Sequence, residues 1–410
     1  MSLKNVLQYP KSFLIFVIGQ FVSNIGDWLL DIGLLLYIYQ LLETKNSFAL
    51  ILFFKFLPKL FSPLFFYFNR LKNIKLFLFL LDFSRAILLI FMYYNMERNI
   101  ITIYCSLFIF NFISGIFYTI RITFIPQLFD TKENYARGIA FFYSSANVSM
   151  IVGYILSGIL MIYFSPKSFL IIDAITFGFS SICTYLIYWD DGGREIDIQK
   201  TPISYTKHIF DGLNFIKKNK KLRTNILSVC ARLLAESMVQ YLIPVFILVK
   251  LKFLSYYLSY FYLIMSLGSL TGNLILQNID IKKDLIDKPK RVIYLTFIQM
   301  ILWLISLLSN NYITMIVLIG LSGIIMGLLG TLYEFEIMSN LSEAIIGKIA
   351  SIYTFLRTSS LILGSAICAF MESELILISI MCGCLLLNII MLIKLNLTNK
   401  REFSVKNDLS

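Results

Sequence analysis

The sequence has little charge and few of the residues that build metal, redox or catalytic sites. Charged residues make up 15% of the 410 residues, against about 25% in a soluble globular domain. His208 is the single histidine and the six cysteines include no CxxC pair, so neither a metal site nor a disulfide framework is expected. The sequence also lacks a glycine-rich phosphate loop and a nucleophile with a histidine partner. We therefore expect neither an enzyme nor a cofactor.

Long apolar runs are abundant in the sequence. Apolar residues make up 58% of the chain, and the mean hydropathy is +0.78. A bilayer core about 30 Å thick needs about 20 helical residues to cross it. Twelve runs reach this length, at 12–42, 47–68, 75–94, 100–121, 138–164, 168–189, 224–250, 254–278, 292–309, 312–335, 347–370 and 375–394. We predict an all-α integral membrane protein with twelve transmembrane helices.

One long connection divides the predicted spans six and six. It begins with two acidic residues and two glycines and then becomes basic, and Ile209, Leu213 and Ile216 repeat at helical spacing. This pattern predicts either a short amphipathic helix at the inner membrane surface or a solvated tether. The predicted domains are a six-helix bundle at 1–189, a cytoplasmic loop at 190–223 and a second, pseudo-symmetric six-helix bundle at 224–410.

The distribution of basic residues indicates the orientation in the membrane. With both termini in the cytoplasm, most of the 36 Lys and Arg residues fall on inner loops, as the positive-inside rule requires. This bias and the anionic lipid of the inner leaflet account for the net charge of +12. The expected partners are therefore the lipid bilayer, a small-molecule substrate and protons. We expect no nucleic acid, and we expect a monomer.

Small residues spaced four apart occur in four predicted spans. Such pairs allow the backbones of two membrane helices to approach closely. They predict close helix contacts at Ser149/Gly153, Gly268/Gly272, Gly323/Gly327 and Ser360/Gly364.

The first span carries one polar face on an apolar helix. Steps of four, three and four residues align Gln20, Asn24, Asp27 and Asp31. A charge in mid-membrane costs about 2.5 to 3.5 kcal/mol, so this face is expected to point into the protein. Folding the first two spans as a hairpin places Asp31 level with Lys59, and we predict an ion pair between them.

Two interpretations of the acidic residues on this face remain open. Asp27 lies nearer mid-membrane and is less obviously matched to a lysine, so it is the first candidate for a residue that binds and releases protons, with Asp31 beside it. Alternatively, both acids form a fixed structural clamp with Lys55 and Lys59. In either case Gln20 and Asn24 are candidates for polar substrate contacts.

The seventh and eleventh spans also carry charges. Arg232 and Glu236 lie one helical turn apart, and Glu236 is the second candidate for proton coupling, with an internal salt bridge as the alternative. Arg357 has no acidic residue three or four positions away, so its predicted partner is Glu236 or an anionic group of a substrate. Glu334, at the inner end of the tenth span, is either a gate residue or a solvated helix end.

Other residues of the spans have predicted roles in structure or in substrate contact. Asp82 and Arg85 are three residues apart and are predicted to form a structural ion pair. Some aromatic side chains are predicted to line an apolar substrate cavity. These are Tyr118, Tyr143, Tyr241 and Phe355.

Several stretches resemble one family of membrane proteins. The first span, GQFVSNIGDW, is similar to the macrolide-efflux-like branch of the major facilitator superfamily. The similar residues there are Gly19, Gln20, Ser23, Gly26 and Asp27. Further similar stretches are Leu57–Pro58, the Asp82, Arg85, Ala86 step, Arg121 with Pro126, FLIIDAITFGFS from Phe169 to Ser180 and the central HIFDGLNFIKKNKKLR.

The resemblance implies two six-helix bundles around a central cavity in a bacterial plasma membrane. It also implies alternating access and export of hydrophobic compounds in exchange for protons. The loop after the second span departs from the superfamily pattern, because its glycine and its acid are missing while Arg70 remains as a gate residue. Export of a drug-like molecule is the leading hypothesis. The alternatives are an uptake permease on the same scaffold and a non-transporting accessory or immunity protein.

Overall fold

The computed structural model describes residues 9–61, 73–97, 99–129, 131–188, 213–252, 254–278, 288–309, 311–338, 343–371 and 373–407. Within these ranges the chain contains helices and no strand. Each of the twelve predicted spans overlaps one α-helix, which confirms the predicted all-α fold. The helices are α1 (Lys11–Leu42), α2 (Asn46–Phe56), α3 (Ile74–Asn95), α4 (Ile100–Phe124), α5 (Lys132–Tyr163), α6 (Phe169–Leu186), α7 (Lys220–Pro244), α8 (Tyr256–Asn278), α9 (Lys288–Leu308), α10 (Tyr312–Met338), α11 (Glu343–Phe370) and α12 (Glu374–Asn407).

Ten helical segments of the described ranges are long and apolar enough to cross a membrane. The helices α2 and α3 are not among these ten. The predicted span 47–68 differs from the structure, because α2 ends at Phe56 and a 3-10 segment follows from Leu57 to Phe61. Pro58 explains the break, since proline has no N–H group for the helical hydrogen bond. Residues 62–68 lie outside the described ranges.

The chain forms two compact units with a repeated packing pattern. The N-terminal unit contains Met1–Gln199 and Phe253–Tyr260, and the C-terminal unit contains Lys200–Lys252 and Phe261–Ser410. In the N-terminal unit α1 packs against α5 and α6, and α3 packs against α4 and α6. In the C-terminal unit α7 packs against α11 and α12, and α9 packs against α10 and α12. Adding six to each helix number of the N-terminal unit therefore gives the equivalent contact in the C-terminal unit. This correspondence is expected of two pseudo-symmetric bundles.

Each unit has an apolar core of its own. In the N-terminal unit the core is rich in phenylalanine, with Phe13, Phe16 and Phe124 fully buried. In the C-terminal unit the short helix at 213–218 places Ile216 in the core, with Leu213 packed against it. Two apolar residues of the predicted amphipathic helix, Leu213 and Ile216, therefore pack in the C-terminal unit. The third, Ile209, lies outside the described residues.

Glycines set the closest helix contacts, including those at the four predicted small-residue pairs. A Cβ atom added at Gly153 would lie 3.1 Å from the carbonyl oxygen of Ile25, and one at Gly364 would lie 2.6 Å from that of Leu234. These contacts join α5 to α1 and α11 to α7, which are equivalent positions in the repeated pattern. The α8 and α10 backbones meet at Gly268, Gly272, Gly323 and Gly327.

A glycine groove that the sequence analysis missed runs along α1. Gly19, Gly26 and Gly33 are seven residues apart and all face α6. A Cβ atom at Gly19 would lie 3.3 Å from the Cα atom of Ser180. Because seven residues make about two helical turns, the groove lets α6 lie directly against α1 along most of its length.

Candidate functional site

The polar face of α1 lies inside the N-terminal unit and forms the first part of the candidate site. Gln20 is buried, whereas Asn24, Asp27 and Asp31 are half-buried. The four residues therefore run from a buried end to a partly exposed end, with Asp27 between them.

Asp31 forms an ion pair with α2. The Nζ atom of Lys55 lies 2.6 Å from its Oδ2 atom, and both side chains are about one third exposed. The predicted ion pair between Asp31 and Lys59 is therefore wrong. Lys59 lies beyond the end of α2 in the 3-10 segment, where its ammonium group is 5.1 Å from the centre of the Phe56 ring.

Asp27 differs from the other buried or half-buried acids described in the N-terminal unit. Within the described ranges, no residue forms a hydrogen bond or an ion pair with its carboxyl group. Charged residues nevertheless lie around it, namely Arg85, Asp31, Asp82 and Lys55. Asp27 is therefore a half-buried carboxyl in a charged environment without a fixed partner.

A buried hydrogen-bond network connects four helices on the cytoplasmic side of Asp27, in the predicted orientation. Arg121 of α4 donates to Gln20 Oε1 at 3.2 Å, and Gln20 donates to Ser180 Oγ at 3.0 Å. Ser180 of α6 donates to Asp82 Oδ2 at 2.8 Å. Asp82 also pairs with Arg85, as predicted. Ser180 was missed in the sequence because it is one of several serines in an apolar run.

The two arginines of this network lie against aromatic rings. The Cζ atom of Arg85 is 4.3 Å from the ring centre of Phe117 and 4.1 Å from that of Phe177. Arg121 lies 4.9 Å from the ring of Tyr118. Contacts between guanidinium groups and ring faces stabilise the buried charge and hold its orientation.

Asp173 of α6 is a buried acid whose position the sequence analysis did not connect with the site. Thr176 Oγ1 donates to its Oδ1 atom at 2.8 Å. Its carboxyl group fills the space that a side chain on Gly26 would occupy. Asp173 therefore lies against the α1 backbone one residue before Asp27.

Two ion pairs within the described ranges involve the charged residues that the sequence singled out in the C-terminal unit. Arg232 and Glu236 are both mostly buried, with 3.4 Å between Nη2 and Oε2, so the internal salt bridge is present. The Nη1 atom of Arg357 lies 2.6 Å from the Oε1 atom of Glu334. The predicted partner Glu236 is instead paired with Arg232, because α10 places Glu334 directly beside Arg357 of α11. Glu334 is thus an ion-paired residue.

The predicted aromatic residues differ in accessibility. Tyr118 and Tyr143 are about half exposed, and Phe355 is 40% exposed. Tyr241 is only 2% exposed and is part of the packed interior of the C-terminal unit. This burial does not favour Tyr241 as a residue that lines an open cavity.

A second buried network joins three helices of the C-terminal unit. Asn388 of α12 donates through Nδ2 to the carbonyl oxygen of Ser228 at 2.6 Å, and Ser228 Oγ lies 3.2 Å from the hydroxyl of Tyr333. Satisfied buried networks of this kind fix helix positions. In the described part of the chain, no group of three His, Cys, Asp or Glu residues is placed to hold a metal ion. Arg70 lies outside the described residues.

Comparisons with known proteins agree with this architecture. The Major Facilitator Superfamily profile matches residues 16–365. No curated protein sequence matches the chain. The nucleoside transporter NupG has 14% identity and a TM-score of 0.71, over 94% of this chain and 98% of that chain.

Two further solved structures share the fold. A bacterial homologue of the iron transporter ferroportin in an inward-facing state has 12% identity and a TM-score of 0.73, over 97% of this chain and 100% of that chain. The POT family transporter PepTSo has 12% identity and a TM-score of 0.71, over 96% of this chain and 98% of that chain. Since the family profile covers most of the sequence and the fold agrees with it, the chain belongs to the Major Facilitator Superfamily and is a multi-pass membrane transporter.

Proposed function

We propose that the protein exports a hydrophobic or amphipathic small molecule and that protons moving in the opposite direction drive the export. The observation that carries the proposal is the state of Asp27. Asp31, Asp82 and Glu236 each contact a cation, whereas no described residue pairs with Asp27. A carboxyl group in this position can gain and lose a proton without breaking an ion pair.

The N-terminal unit supplies polar side chains and partly exposed aromatic rings. Asn24 lies one turn away on the same face of α1. Tyr118 and Tyr143 are half exposed beside Arg121. Rings and amide groups of this kind suit a molecule with both apolar and polar parts.

In the proposed cycle Asp27 is the coupling residue and both termini are cytoplasmic. Asp27 binds a proton from the outer side as the exported molecule leaves, and it releases that proton to the cytoplasm before the next molecule binds. The resemblance of α1 to macrolide-efflux-like permeases supports export. The structural relatives carry nucleosides, iron and peptides by their names, so the shared fold does not define a substrate class.

Ethidium accumulation in everted membrane vesicles tests the proposal. Vesicles with an acidic interior and the wild-type protein should accumulate ethidium, and collapse of the pH gradient with nigericin should abolish the accumulation. Asp27→Asn should lose it, whereas Glu133→Gln, on the exposed start of α5, should retain it.

Three results would overturn the proposal. The first is ethidium accumulation that persists in Asp27→Asn. The second is ethidium movement in the opposite direction, as expected of an uptake permease. The third is protection of cells that survives Asp27→Asn together with Glu236→Gln, as expected of an accessory protein.

A further inference from the structure

Asp173 in α6 is more deeply buried than Asp27, and no described cation forms an ion pair with it. Its side chain is 0% exposed. Thr176 satisfies the Oδ1 atom, but within the described residues no donor reaches the Oδ2 atom. Asp173 therefore presents a buried carboxyl oxygen that no described protein group satisfies.

The unsatisfied oxygen points to a proton as its ligand. A fully buried carboxylate without a cation is strongly disfavoured. A bound proton removes the negative charge and converts the bare oxygen into a hydroxyl group. This form is compatible with the apolar surroundings of α6, and it leaves the acceptor atom for Thr176 unchanged.

The carboxyl group of Asp173 lies close to the proposed coupling residue. A Cβ atom on Gly26 would be 3.1 Å from Asp173 Cγ, so the acid touches α1 one residue before Asp27. The charged groups around Asp173 are Asp27 and Asp31 of α1 and Arg85 of α3. Arg85 is already paired with Asp82.

We propose that Asp173 is a second proton-binding residue that works together with Asp27, an inference that rests on the proposed proton coupling. Two neighbouring acids repel each other when both are ionised, so the pair retains at least one proton. Asp27 is partly exposed, so in the proposed pair it is the residue that exchanges protons with water. When a proton leaves the Asp27 carboxyl and binds Asp173 Oδ2, Asp27 becomes a carboxylate and Asp173 becomes neutral, and the total charge of the pair is unchanged.

Infrared spectroscopy of the purified full-length protein in detergent tests the inference without a transported substrate. The wild type should show the carbonyl-stretch band of a protonated carboxyl group at neutral pH. Asp173→Asn should lose this band, and Asp27→Asn should keep it but titrate it over a different pH range. Thr176→Val should shift the band, because the hydrogen bond to the carboxyl is lost while the acid remains. Glu133→Gln should match the wild type.

Several outcomes would overturn the inference. A spectrum of Asp173→Asn that matches the wild type would show that Asp173 holds no proton. A titration that is unchanged in Asp27→Asn would show that the two acids act separately. If Asp173→Asn fails to fold, Thr176→Val decides, because an unshifted band would exclude Asp173 as its source.

The ethidium assay separates this inference from the proposed export. If the wild type moves no ethidium and the band still depends on Asp173 and Asp27, the export proposal fails and the two-residue proton site stands. If export depends on Asp27 while the band survives in Asp173→Asn, the export proposal stands and the two-residue site fails.

Discussion

Lys55 of α2 binds Asp31 of α1, with 2.6 Å between Nζ and Oδ2. Asp27 lies one turn earlier on the same helix face, and within the described residues it has no such partner. The ion pair therefore separates the two acids of this face into different roles. Asp31 is held by a cation and stabilises the contact between α1 and α2, whereas Asp27 is the residue that we propose exchanges a proton.

The Asp31 and Lys55 pair should show a measurable but modest coupling. We expect about 1 kcal/mol in a double-mutant cycle of Asp31→Asn and Lys55→Gln, because both side chains are about one third exposed and water screens their attraction. Unfolding in detergent, followed by tryptophan fluorescence, measures the four free energies. Strictly additive losses would mean that the contact contributes nothing.

Ser180 should be the most sensitive serine of α6. Ser180→Ala removes the donor to Asp82 and the acceptor of Gln20, so the free energy of unfolding should fall by about 1–3 kcal/mol. Ser181→Ala is the matched control, because Ser181 is also buried but donates only to the Gly178 carbonyl in its own helix. Equal effects of the two substitutions would argue against the network.

Two glycines of α10 should respond in opposite ways to a methyl group. Gly327→Ala should cost about 1–3 kcal/mol, because its Cβ atom would lie 3.0 Å from the carbonyl carbon of Ser269 in α8. Gly330→Ala meets nothing within 4 Å and should stabilise the helix by up to about 1 kcal/mol. Thermal melts of both variants in detergent measure the difference, and a tolerated Gly327→Ala would contradict the close α8–α10 contact.

The loop after α3 should make a pH-dependent contribution to stability. The hydrogen bond and positive charge of Lys167 hold the pKa of Glu97 below its usual range, with a further hydrogen bond from Tyr37. Because the folded state has the lower pKa, the contact stabilises the fold above the unfolded-state pKa. This stabilisation is lost as the pH falls through the folded-state pKa.

Melting temperatures measured at neutral and at acidic pH test this contact. Glu97→Gln should lower the melting temperature at neutral pH, and its difference from the wild type should vanish in acid. Lys167→Gln should behave in the same way, and the double variant should lose no more than either single one. A difference that persists in acid would mean that Glu97 acts through something other than its charge.

The positions of the helices could be predicted from the sequence, because membrane spans need long apolar runs and these runs are unmistakable. The polar face of α1 could also be predicted, since helical spacing aligns its residues. The pairing of Asp31 with Lys55 could not, because it depends on where α2 ends. The 3-10 segment at Pro58 moves Lys59 out of line with the helix that the sequence pattern suggests.

Contacts between distant helices were the hardest part to predict. Ser180 and Asp173 are polar residues within an apolar run, and only the packing of α6 into the glycine groove of α1 brings them to Gln20 and Gly26. The Glu334 partner of Arg357 was hidden for the same reason, since the two residues lie on different helices. Sequence spacing describes one face of one helix and does not give the register between helices.

Proton release driven by an exported molecule tests the role of Asp27 most directly. Everted vesicles are acidified inside, acridine orange reports the internal pH, and ethidium is then added. With the wild-type protein, ethidium should dissipate the acidification, and with Asp27→Asn it should not, while Asp31→Asn should retain a response. An equal response of the wild type and Asp27→Asn would contradict proton coupling through Asp27.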